Sequence, residues 1–123
     1  MRIDDRRRAS EKLNDMHRQF ADEDYEQNKA DYRELLKVPA FRRVLVGILK
    51  RARVFGSISM DATETNQVMK MIGWRELGVD IYMAANQADG AMVLKAIEER
   101  TAVEKERKAR FDLATQNETK GNG

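Results

Sequence analysis

The chain has 123 residues, 36% of them charged, with seven Gly, one Pro and no Cys. That length supports one modest core rather than two domains, and the charge density and scarcity of turn formers favour long solvated helices over a β-sandwich. The missing Cys excludes a disulfide framework and thiolate metal sites, and a lone His17 in a charged segment excludes a histidine-based metal centre and reads as a surface side chain.

The N-terminal stretch has basic residues but no apolar run behind them, so it does not read as a signal peptide, and nothing approaches the ~18 apolar residues of a membrane span. Leu13, Met16 and Phe20, with Ala9, form a narrow apolar stripe on an amphipathic helix expected over 10–22. The cluster over 21–27 (ADEDYEQ) has no break residue, which leaves the helix free to stop there or to run on into 30–36; Asp31 followed by Glu34 matches a capping box and argues for a fresh short helix carrying Tyr32, Leu35 and Leu36.

Pro39 fits the first position of the next helix, because its fixed φ suits a helix start and it pushes Val38 into an extended conformation. Phe41, Val44, Leu45, Ile48, Leu49 and Ala52 then recur at i, i+3, i+4, i+7, i+8 and i+11, which places them on one helical face. Burying the five large ones represents on the order of 10 kcal/mol as an upper bound, so this helix over 39–52 is the strongest organiser in the chain. Gly47 inside it predicts close approach of another backbone.

Phe55, Gly56, Ile58 and Met60 make an apolar break, and Asp61 with Glu64 repeats the capping-box pattern at the head of a helix over 62–85. That helix carries two apolar stripes, one with Val68, Met71, Ile72, Val79 and Tyr82, the other with Trp74, Leu77, Ile81 and Ala85, and is expected to pack at the centre of the bundle. Trp74 and Tyr82 read as core residues, and Gly73 or Gly78 as a kink or helix crossing. Residues 86–90 (NQADG) read as a turn, 91–100 as a last packed helix, and the mixed charges after residue 98 as a solvated helix with i,i+4 pairs such as Glu104–Lys108 and Glu106–Arg110. The stretch 116–123 reads as a disordered tail. The expected fold is all-α, four or five helices, with a charged extension over 1–30, a core over 31–100 and a second extension with its tail over 101–123.

Positive charge is segregated. Residues 38–60 carry Arg42, Arg43, Lys50, Arg51 and Arg53 without one acid, whereas the rest of the chain is nearly balanced. Arg42, Arg43, Lys50, Arg51 and Arg53 lie largely off the apolar face and could form a stripe of phosphate contacts, with Arg42, Lys50, Arg51 and Arg53 the candidate phosphate or partner contacts; the plainer reading is a solvated face whose arginines pair with acids from the N-terminal segment. No Walker-type or dinucleotide-binding glycine loop occurs. The adjacent carboxylates Asp22, Glu23 and Asp24 and the pair Glu76 and Asp80 read as solvated surface, so catalytic and cofactor residues are none.

The block from residue 31 to residue 98 resembles a family of small tailed-bacteriophage proteins typified by one from a Bordetella podophage. The likeness lies in Asp31-Tyr32, in Phe41-Arg42-Arg43-Val44-Leu45, in Val54-Phe55-Gly56-Ser57, in Gly73-Trp74-Arg75-Glu76-Leu77-Gly78, and in an ending over 91–99. The family often opens its central helix with Gly-Arg-Arg where this chain has Phe41-Arg42-Arg43, and its later Gly-x-Arg is kept as Gly73-Trp74-Arg75. The resemblance implies a protein encoded among phage head and tail structural genes, with no activity assigned and no catalytic residues to carry over, working in the host cytoplasm during assembly and then in the virion. It further implies an oligomeric assembly with other phage structural proteins, and places Arg43 and Arg75 as buried or interface charges sharing Asp31. A DNA-associated accessory protein using the basic helix is the alternative.

Overall fold

The computed structural model describes residues 2–56 and 65–121. Among these the protein is all-α, with helices α1 (Ile3–Leu36), α2 (Pro39–Arg51) and α3 (Thr65–Gly121). Three helices thus stand where four or five were expected, because the breaks expected at Asp31 and over 86–90 do not end a helix. Asp31 does not cap anything: its carboxylate accepts from Gln27 Nε2 at 2.9 Å, an i−4 pair on the helix surface, and α1 continues through it. At the C-terminal end the stretch read as a disordered tail stays helical as far as Gly121. The expected helix start at Asp61 and Glu64, with Ile58 and Met60, lies outside the described residues. None of the helices is long and apolar enough to cross a membrane.

The turn expected over 86–90 is a single-residue kink. Asp89 alone leaves the helical region (φ −162°, ψ 89°), dividing α3 into arms over 65–88 and 90–121. In an unbroken helix the Met92 amide would donate to the Ala88 carbonyl; here it donates to Asp89 Oδ1 at 3.2 Å, and Arg33 Nε of α1 donates to the Ala88 carbonyl at 3.3 Å. Asp89 is therefore the N-cap of the second arm. Each backbone group shown here to lose its helical partner gains a side-chain one.

Both arms reach α2. Gly78 of the first arm packs on Ala52, while Glu99 and Glu104 of the second pair with Arg42 and Lys50. A Cβ built on Gly78 would lie 2.8 Å from Val54 Cγ2 and closer still to Ala52 Cβ, so only glycine permits this crossing. Gly47, expected to mark such an approach, has nothing near it. Leu36, Leu45, Leu49, Ala85 and Val93 form the core, with Tyr32 and Phe41 packed edge to face beside it.

α2 starts at Pro39 as the sequence predicts, after an extended Val38. Its inward face is rotated from the expected one. Arg42, Leu45, Val46, Leu49 and Ala52 are buried, whereas Val44 is 58% and Ile48 41% exposed. At about 100° per residue the buried set is centred roughly 65° away from the predicted stripe. The helix ends in a Schellman motif, in which the Val54 amide donates to the Leu49 carbonyl and the Arg53 amide to the Lys50 carbonyl, both at 3.1 Å. Arg53 holds the left-handed position (φ 54°) that glycine usually fills.

Candidate interaction surface

Around the Gly78 crossing, apolar side chains of α2 and of the first arm of α3 are left uncovered. Trp74, Leu77, Gly78 and Ile81 recur at i, i+3, i+4 and i+7 and share the arm's inward face with the buried Ala85. With Ile48, Arg51 and Ala52 of α2 they line a groove of about 290 Å³. A second hollow of about 270 Å³, bounded by Arg51, Ala52, Arg53, Met71 and Trp74, adjoins it. Trp74 lines both and is 61% exposed, so it is a surface residue rather than the core residue its sequence context suggested. Its expected companion Tyr82 is half-buried and stacks edge to face with Phe55, ring centroids 5.1 Å apart.

The two arginines on this rim come from the basic segment. Arg51 and Arg53 are exposed and, among the described residues, make no ion pair. Arg53 is aimed by the left-handed turn that ends α2, a backbone state costing about 1 to 3 kcal/mol for a residue with a Cβ. An apolar floor with an exposed Trp and an Arg on its edge has the composition of an interface hot spot.

The other charged candidates are placed differently from expectation. Arg42 is no surface contact: it is 6% exposed, its Nε donates to Glu99 at 2.8 Å and its Nη1 to the Leu36 carbonyl at 2.9 Å. Lys50 pairs with Glu104, which also takes Arg100 at 3.1 Å. The network of Asp31, Arg43 and Arg75 does not form. Asp31 is engaged with Gln27, Arg43 is exposed, and Arg75 is half-buried with no ion pair among the described residues. The buried arginine that ties the helices together is thus Arg42, one position before the residue the family likeness had suggested, and its partner Glu99 lies 57 residues away. Of the predicted surface pairs, Glu106–Arg110 forms at 3.4 Å. Among the described residues no group of three His, Cys, Asp or Glu side chains converges as metal ligands.

Accessible surface extends well past the groove. The chain exposes 10145 Å², against about 6,800 Å² for a compact monomer of its 14.2 kDa mass. Leu13, Met16 and Phe20 on α1 and Phe111 and Leu113 on α3 are among the large apolar side chains left in solvent. No protein-family model, curated protein or solved structure matches the chain.

Proposed function

We propose that this chain is a non-enzymatic virion or virion-assembly protein of a tailed bacteriophage, from the head or tail module, and that it acts through protein–protein contacts. The observation that carries the protein-contact part is the uncovered apolar surface, above all the exposed Trp74, which lines two adjoining hollows, with Arg51 on both and Arg53 on the second. Large exposed apolar patches on a small chain are the mark of a surface that is covered when the protein works. The expected partner presents apolar side chains to the groove and carboxylates to its arginine rim. The phage setting comes from the likeness over residues 31–98, and with it the host cytoplasm during assembly and the virion afterwards.

The alternative is a DNA-associated accessory protein that binds phosphates through a smaller set of the basic helix's cations than the sequence offered. Of Arg42, Lys50, Arg51 and Arg53, the first is internal and the second is engaged by Glu104. Arg43, Arg51 and Arg53 stay exposed, and three phosphate contacts would give a log–log salt slope of about −3. Quantitative mass spectrometry of purified, DNase-treated particles tests the reading. Stoichiometric presence relative to the major capsid protein supports a structural component, and abundance in infected cells without presence in particles supports an assembly factor. Salt-sensitive DNA binding abolished by Arg51→Gln with Arg53→Gln, in a protein absent from particles, would overturn the protein-contact reading.

A further inference from the structure

The first half of α1 carries an apolar stripe that its own fold does not use. Ala9, Leu13, Met16 and Phe20 follow one another at i, i+4, i+7 and i+11, and all four are exposed, the three large ones to 58%, 44% and 49%. α1 docks on the remainder of the protein through a different set. Leu36 is buried, Tyr32 and Lys29 are half-buried, and Tyr25 donates to Gln87 Oε1 at 2.8 Å. Taking about 100° per residue, the docking set and the apolar stripe are centred roughly 160° apart around the helix. A straight helix that docks by one face therefore turns the stripe away from its own core.

Charge says what covers it. Residues 2–8 hold Arg2, Arg6, Arg7 and Arg8 against Asp4 and Asp5, a net of +2, whereas residues 21–27 hold Asp22, Glu23, Asp24 and Glu26 with no basic residue, a net of −4. The apolar stripe sits midway between these ends. A second α1 running in the opposite direction would set Leu13 against Met16, Ala9 against Phe20, and Arg6 against Glu23, with small facing large and basic facing acidic. Asp5 against Asp24 is a like-charge pair in that register, outweighed by the net attraction of the ends. A parallel partner would instead set the arginines on arginines and the acids on acids.

We propose that two copies of this chain associate through an antiparallel pairing of the α1 stripes centred between Leu13 and Met16. The arrangement is self-complementary, as a two-fold homodimer requires. It also uses part of an available surplus: the chain exposes roughly 3,300 Å² more than a compact monomer of its mass, while one side of a standard interface covers about 800 Å². The pairing uses none of the residues that line the Trp74 groove, so it adds a self-interface to the partner-binding reading above without depending on the phage setting.

Sedimentation equilibrium on the full chain tests the pairing. The parent is expected to be a dimer at micromolar concentration. Leu13→Glu with Phe20→Glu is expected to weaken self-association about tenfold or more at unchanged helical circular dichroism, because both side chains are exposed in the monomer. Orientation is read by cross-linking, which the absence of native Cys makes clean. Ser10→Cys mixed with His17→Cys should be joined by a short bis-thiol reagent, while Ser10→Cys alone should not self-link. A monomeric parent, a dimer indifferent to both glutamates, or efficient self-linking of Ser10→Cys would each overturn the antiparallel pairing. A monomeric parent that still appears stoichiometrically in particles would sink this inference and leave the proposed function standing.

Discussion

Replacing Arg42 by Ala separates two roles that adjacent arginines could hold. Arg42 is almost wholly buried, with Nε on Glu99 at 2.8 Å and Nη1 on the Leu36 carbonyl at 2.9 Å, so its loss strips a carboxylate and a backbone acceptor of their donor at once. Breaking a buried pair from one side costs about 3 to 5 kcal/mol. The Glu99 side chain is 36% exposed, so water partly restores its solvation and the lower end applies. A loss of about 3 kcal/mol follows, equivalent to a fall of about 10 °C in Tm for a chain of this length. Arg43→Ala is the control: its side chain is exposed, and surface substitutions stay within about 0.5 kcal/mol. Urea unfolding followed by circular dichroism at one protein concentration reads both, with the effect expected in the midpoint rather than in the slope. Equal midpoints for the two variants would refute the buried tie, and a larger effect at Arg43 would restore the assignment suggested by family likeness.

Gly78→Leu should destabilise by about 2 kcal/mol or more, because even a Cβ at that position collides with Ala52 and Val54; the same urea titration checks it. Asp89→Ala should cost about 1 kcal/mol by removing the N-cap of the second α3 arm, with faster amide exchange at Met92 as the local readout. Arg53→Gly should raise stability by about 1 kcal/mol by relieving the left-handed conformation, and no gain in Tm would contradict the strain assigned there. Trp74→Ala should leave the unfolding midpoint within about 0.5 kcal/mol of the parent, since an exposed ring contributes little to the monomer, yet abolish recovery of partner proteins that the parent retains on an affinity column.

What could be read from the chain without coordinates was governed by local chemistry. Pro39 marked the start of α2 because its effect on φ and on Val38 needs no tertiary partner. The direction in which α2 faces was a different matter. Hydrophobicity alone centred its stripe near Phe41 and Ile48, but Arg42 turns inward because Glu99 and the Leu36 carbonyl are there to receive it, and a pairing 57 residues distant leaves no trace in helical spacing. The rotation that buries Arg42 and Val46 is the same one that exposes Val44 and Ile48 and opens one wall of the groove.

Glycines were legible as a class and not one by one. Gly47, Gly73 and Gly78 each allow a close crossing, and only the meeting with Ala52 and Val54 selects Gly78. The sequence 86–90 located the break in α3 to within a turn, because Asp89 can cap a helix, yet the break costs one residue rather than five because Arg33 supplies the other half of the repair. At Asp31 the same residue type signalled a boundary that is absent. Its carboxylate finds Gln27 on an uninterrupted helix, and nothing between residues 22 and 30 breaks the backbone. Trp74 shares the helical spacing of the buried Ala85, yet it lies where α2 and the first arm of α3 leave a groove between them, so its ring stays in solvent.

Hydroxyl-radical footprinting of Trp74 and Leu77, in the free chain and in particles or assembly intermediates isolated from infected cells, addresses the central claim that this surface is covered by protein when the chain works. Both side chains should oxidise rapidly in the free protein and be strongly protected in the assembly, with Leu94, another exposed apolar residue outside the groove, as the internal reference. Equal oxidation of Trp74 and Leu77 in the two states would contradict it.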